Sequence, residues 1–172
     1  AAWRAARLPL VRKRPDLGVT GEAPSRWITR ERPKIDRIAC PWLVLRFLDP
    51  RAQFFYVPTA EVFTQARRLD AVPYDIPEAP ITHQGERCSF DALIDAFALR
   101  DPALDALATI VRGADTDRLD LAPQSAGLLA FSLGLSRLHA ADDHGRADRP
   151  AGGLSLHLPA AVQRHRAAGR GH

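Results

Sequence analysis

The strongest constraint on the fold is a pair of apolar stripes set back to back around the dipeptide Asp101-Pro102. Upstream, Phe90, Leu93, Ile94 and Phe97 recur at steps of three and four; downstream, Leu104, Leu107, Ala108 and Val111 do the same. That period places each set on one face of a helix. Asp101 can accept a hydrogen bond from an orphan N–H, and Pro102 gives up an N–H that would have no helical partner, so the second helix is expected to start there. Gly113 is expected to end it.

The remaining segments must supply the surface on which these helices lie. Pro41 suits the first turn of a helix that runs through WLVLRFLD and stops at Asp49-Pro50. Glu61 to Leu69 reads as a short helix with Val62, Phe63, Ala66 and Leu69 on one face. From Pro123 to about His139 the chain is apolar on most sides. Its small residues Ala126, Ala130 and Gly134 would let another backbone approach closely, so this is expected to be the central helix of the core. Trp27-Ile28-Thr29 and Ala52 to Pro58 read as strands, and the stretches around Tyr74 and Thr82 as two more, confined to edges by Pro73 and Pro77. The fold class implied is α+β and helix-rich, with about five helices and three or four short strands around a single core. A chain of 172 residues, 46% hydrophobic, is long enough to bury one such core.

The charge is divided along the chain. Residues 1–34 carry nine Lys/Arg against three Asp/Glu, residues 145–172 carry five against one, and residues 35–144 carry ten against sixteen. The basic character thus belongs to the ends. Residues 1–26, with three prolines, two glycines and the run Arg12-Lys13-Arg14, read as a basic arm or linker. Residues 27–144 are the expected folded body, and 145–172 a basic tail of low order. An acidic body is a poor partner for duplex phosphates, which leaves DNA or a regulatory partner to the basic ends. No apolar run approaches the roughly 18 residues that cross a bilayer, so no membrane partner is expected. Two cysteines are too few for a disulfide scaffold, and a cytoplasmic location with free thiols is expected. The sequence contains no methionine, even at position 1, and is expected to be a processed piece or part of a longer product.

Several groups could carry chemistry. Cys40 and Cys88 both fall at expected helix starts, where free N–H groups and the helix dipole can stabilise a thiolate; each is either a reactive, candidate catalytic thiol or a small buried hydrophobe. The same helix ends would suit an oxyanion, with Arg37 and Arg87 close in sequence to supply donors. His83 and Glu86, with Asp143 and His144 beyond the long helix, are of metal-ligand type, and could form a site for zinc, manganese or iron if the fold joins the two segments. An acidic turn capping a helix would explain the second segment without a metal. In IVRGADTDRLDLAP, Arg112, Asp115, Asp117, Arg118 and Asp120 form either an ion-pair network or a lined pocket, in which Arg112 and Arg118 are further anion-binding candidates. No nucleophile elbow, Gly-rich phosphate loop or dinucleotide fingerprint is present.

The blocks WITRERPKIDRIACPWLVLRFLDP, FFYVP, PYDIP, THQGERCSFDALI, DPALDALATIVRGADTDRLDLAPQSAGLLAFSLGLSRL and ADDH resemble the C-terminal domain of the chromate-resistance protein ChrB family. The resemblance runs from Trp27 to His144 and implies a role in chromate resistance through sensing or binding chromate, another small oxyanion or a metal. Members are associated with a chromate efflux transporter, and some are described as chromate-responsive regulators. The alternatives are a metal-dependent enzyme using a His/Glu/Asp cluster, or the regulatory module of a chromate-responsive transcription regulator.

Overall fold

The computed structural model describes residues 12–32 and 34–143. Its centre is β1 (Arg26–Arg30), flanked in parallel by β2 (Gln53–Val57) and by the two-residue β3 (Val72–Pro73), in the order β2-β1-β3. Trp27 pairs with Phe54 on one side and Val72 on the other, and Ile28 with Phe55 and Pro73. Pro73 sits on an edge, where its missing N–H costs no ladder bond. Ile81 makes only an isolated bridge to Tyr74, so the expected strand around Thr82 does not form.

Successive side chains of β1 point to opposite faces of the sheet. Ile28 joins Val62 and Ala66 of α2 (Val62–Leu69) in a small apolar cluster on one face. Trp27 points into the main core on the other, built with α1 (Ile35–Leu43), α3 (Ser89–Ala96) and α4 (Pro102–Asp115). Both apolar stripes around Asp101-Pro102 face the core as their spacing implied, all but the partly buried Leu107 being buried, and Asp101 caps α4 by accepting from Ala103 N at 2.8 Å. Together with α5 (Ser125–Asp143), the described residues form a helix-rich α+β domain of five α-helices and a three-stranded parallel sheet.

Four local expectations are corrected. The helix expected to start at Pro41 begins six residues earlier, so Cys40 is a core residue of α1 and not its N-cap. Pro41 removes the N–H that would bond the Arg37 carbonyl. Tyr56 supplies a replacement, its hydroxyl donating to that carbonyl at 3.2 Å, and the helix then widens into a π-turn over Val44–Leu48. Gly113 does not end α4, which continues to Asp115. In α5 the row of Ala126, Ala130 and Gly134 faces outward, while Ser125, Leu128, Leu129 and Ser132 turn inward. Phe131 is 63% exposed, so α5 lies on α4 as an outer helix and is not the centre of the core. Finally, part of the expected arm belongs to the body: Leu17 and Val19 are buried, and Arg14 Nη1 donates to the Ala96 carbonyl at the end of α3 at 2.9 Å. Among the described residues no helix is long and apolar enough to cross a membrane.

Candidate functional site

Four titratable side chains from four separate segments meet where the chain leaves β1 and β3. Asp36 lies in the first turn of α1, Asp75 two residues past β3, His83 in the loop before α3, and Asp115 at the end of α4. His83 Nε2 lies 3.0 Å from Asp115 Oδ2, 3.6 Å from Asp36 Oδ2 and 3.6 Å from Asp75 Oδ1. The imidazole is 41% exposed, so the cluster opens to solvent on its side. Asp36 and Asp75 are buried behind it.

The helix ends hold the carboxylates in place. Asp36 Oδ2 accepts the backbone N–H of Ser89, the first residue of α3, and the Ser89 hydroxyl donates to Asp75 Oδ1 at 3.0 Å. Asp115 Oδ1 accepts the Asp36 N–H at 3.4 Å, so the end of α4 caps the start of α1. Orphan N–H groups and the positive end of the dipole favour negative charge at such positions. Asp75 has φ of 52°, a left-handed conformation that Asp tolerates better than most residues. Its outer oxygen faces two guanidiniums, Arg30 Nη2 at 3.3 Å and Arg37 Nε at 3.6 Å.

Carboxylate charge nevertheless exceeds its compensation. Burial, then the neighbouring Asp115 and Asp75 charges, push the Asp36 carboxyl up to about 8. Burial and Asp75 raise Asp115 in the same direction. Asp36 Oδ1 is buried and has no hydrogen-bond partner, an arrangement that costs on the order of 1–3 kcal/mol in a folded protein. Asp36, Asp75 and His83 can each offer one ligand atom within 4.8 Å of the others, a set suited to a cation.

Cys88 is the N-cap of α3, as its sequence position implied, but its chemistry is reversed. The thiol is buried and donates to Asp91 Oδ2 at 3.4 Å. Burial, then the Asp36 charge, push it well above the ordinary thiol range, outweighing the helix end. Cys40, one turn after Asp36 on α1, is raised in the same direction by burial and by Asp36. Both cysteines are free.

The other expected site residues are dispersed. Glu86 is exposed and pairs with Arg118 at 3.5 Å; Arg118 also meets Asp120 at 3.3 Å. Arg87 pairs with Asp95 at 3.0 Å, and Arg112 with Asp91 at 2.7 Å. These two arginines, with Arg100, line a 300 Å³ cleft between α3 and α4 in which Asp91, Asp95 and Asp105 match their charge, leaving no excess for an oxyanion. Arg37 alone of the four proposed anion-binding arginines approaches the cluster, and it does so through Asp75. Asp143 ends α5 beyond the described side chains, and His144 lies outside the described residues. Sequence reasoning found His83, and placed Asp115 only in a charged turn. It did not single out Asp36 or Asp75, for which the available signals were an acid in a helix first turn and an Asp between prolines at a strand end.

The chain spans about a third of the length of the curated relative it matches. That relative, Protein ChrB of Cupriavidus metallidurans, is 33% identical over 118 residues, covering 63% of this chain and 35% of its own length. No solved structure matches the chain. The family model described as ChrB, C-terminal domain, matches residues 27–151, from the first residues of β1 to just past α5. The chain therefore belongs to the ChrB C-terminal domain family.

Proposed function

We propose that this domain is the ligand-binding module of a chromate-resistance protein and that the His83 cluster is its site. The convergence of Asp36, Asp75, His83 and Asp115 from four segments carries this reading. Stability alone gives no reason to bury two carboxylates and partly bury a third around one imidazole, since each charge is costly to desolvate. Family membership and the name of the C. metallidurans relative connect the module to chromate resistance. This reading places chromate, a dianion, outside the cluster, because three carboxylates stand there beside two guanidiniums. Chromate acts on this module indirectly, through a ligand of opposite charge or through another part of the full protein.

The test is growth on chromate of cells that depend on the full-length protein for resistance. Replacing half-exposed His83 by Ala together with Asp75→Asn should abolish protection at unchanged protein level. Full protection by the double variant would remove the cluster from the function.

A second reading is supported by the elevated Asp36 carboxyl beside an open imidazole. A buried acid that titrates near neutrality next to a solvent-facing histidine is the arrangement used for proton transfer, and would suit an enzyme acting on a small molecule at the mouth of the site. Turnover of a substrate that is lost in Asp36→Asn while ligand binding persists would separate this reading from simple binding.

A further inference from the structure

We propose that Asp36, Asp75 and His83 are the protein ligands of a divalent cation of the manganese, iron(II) or zinc class, with Asp115 holding a metal-bound water. The inference rests on the reading of this cluster as the site and names the ligand it takes.

The spacing fits a coordination sphere. Metal–ligand bonds of about 2.1 Å place neighbouring ligand atoms about 3.0 Å apart in an octahedron and about 3.4 Å apart in a tetrahedron. His83 Nε2 is 3.6 Å from Asp36 Oδ2 and 3.6 Å from Asp75 Oδ1, near those edges; its 3.0 Å contact with Asp115 Oδ2 uses the same nitrogen, so the ion would take the place of that contact and leave Asp115 to a metal-bound water. A second, independent observation is the orphaned Asp36 Oδ1. Asp36 is 1% exposed, and one of its two oxygens has no donor among the protein's groups. Hydrogen bonds satisfy most buried carboxylate oxygens, so one left bare on the carboxylate whose other oxygen lies 3.6 Å from His83 Nε2 points to a missing positive charge.

The surroundings are those of a supported site. Ser89 fixes both carboxylates, through its N–H to Asp36 and its hydroxyl to Asp75, and Arg30 and Arg37 hold the outer oxygen of Asp75. Outer contacts of this kind orient metal ligands and are worth tenfold to a hundredfold in affinity. The ligand type sets the class of ion. Carboxylates with one imidazole suit manganese, iron(II) and zinc, and the buried Cys88 thiol is turned to Asp91, so no sulfur ligand shifts the preference toward soft ions. With three protein ligands and His83 half-exposed, at least one position remains for solvent.

The purified chain, stripped with a chelator and titrated with Mn²⁺ and Zn²⁺, gives the test. One ion per chain and a rise of several degrees in melting temperature are expected in the wild type, because an ion that binds only the native state stabilises it. Asp36→Asn preserves shape while removing a buried charge, so it should stay folded, yet lose on the order of a hundredfold in affinity; His83→Ala should do the same, and Asp115→Asn should lose about tenfold. No uptake of either ion by the wild type, or Asp36→Asn and His83→Ala binding as the wild type does, would overturn the proposal. Its failure is separable from that of the functional reading: absent metal uptake with chromate protection still lost in the cluster variant sinks the ion alone, whereas metal uptake with protection intact sinks the functional role alone.

Discussion

Arg112 holds both oxygens of Asp91, Nε to Oδ2 at 2.9 Å and Nη2 to Oδ1 at 2.7 Å, while the same Oδ2 accepts the Cys88 N–H at 3.1 Å. One carboxylate thus joins α4 to the start of α3. Two-point guanidinium pairs of this kind are the stronger class of charged hydrogen bond.

Removing Arg112 would leave the buried Asp91 carboxylate with only the longer Arg87 contact at 3.5 Å, and breaking a buried pair in this way typically costs up to about 3–5 kcal/mol. Arg112→Met should therefore destabilise strongly, and the pH dependence should identify the cause. Burial alone would raise the Asp91 carboxyl, but Arg112 and the Cys88 N–H outweigh it and hold it below the usual carboxylate range. A group depressed on folding contributes stability that is present above its unfolded value, near 3.9, and is lost as pH falls through its folded value. Denaturant midpoints of the wild type should drop on acidification below about pH 4, and the drop should shrink in Asp91→Asn. Equal acid sensitivity in both proteins would show that Asp91 is not the group responsible.

Neither cysteine should behave as a reactive thiol. Burial and the nearby Asp36 charge raise both, and only the thiolate is nucleophilic. In native protein at pH 8, a disulfide reagent should find no fast-reacting thiol, whereas unfolding in guanidinium should release two per chain. Rapid native labelling that disappears in Cys88→Ser would contradict the buried position of that sulfur.

Leu17 lies in the stretch whose composition reads as a linker, yet it is 2% exposed in the main core. Leu17→Ala should cost about 2–5 kcal/mol, the range for truncating a buried leucine. A change below about 0.5 kcal/mol, the size ordinary for surface positions, would return residues 12–20 to the status of an arm.

These cases show what was legible in the sequence. Helical periodicity located α2, α3 and α4 because one-sided burial imposes a spacing that survives in the residue pattern, and Asp101-Pro102 marked a boundary through local backbone chemistry alone. The start of α1 was missed because Pro41 looks like a first-turn residue, and its tolerance inside a helix depends on a hydroxyl from Tyr56 on another strand. The outward face of α5 was misread since small residues look the same whether they meet a backbone or solvent. The site was half legible for the same reason. His83 is a conspicuous side chain, but Asp36 and Asp75 acquire their meaning only when parallel strands bring the start of α1 and the end of β3 together, and no local pattern encodes that meeting.

Gly113 makes the strongest case for tertiary context over local propensity. In an exposed helix interior, replacing Gly by Ala stabilises by about 1 kcal/mol through reduced backbone entropy. Here α5 begins against the glycine: a Cβ would come within 2.8 Å of the Arg118 carbonyl oxygen and would run into the Ser125 hydroxyl, which donates to the Ile110 carbonyl at 3.0 Å. The serine cannot swing aside without breaking that bond, and the carbonyl is backbone, so the turn between α4 and α5 must move. Overpacking of this kind costs about 1–3 kcal/mol, enough to reverse the propensity gain. Gly113→Ala should therefore lower the melting temperature, and Ser125→Ala in the same chain should recover part of the loss by removing one of the two clashes. Because Asp115 follows two residues later, the same shift should displace its carboxylate from His83, so Gly113→Ala should also weaken Mn²⁺ binding in a protein that is still folded. A melting temperature raised by the substitution would mean that the helices separate easily and that propensity governs this position after all.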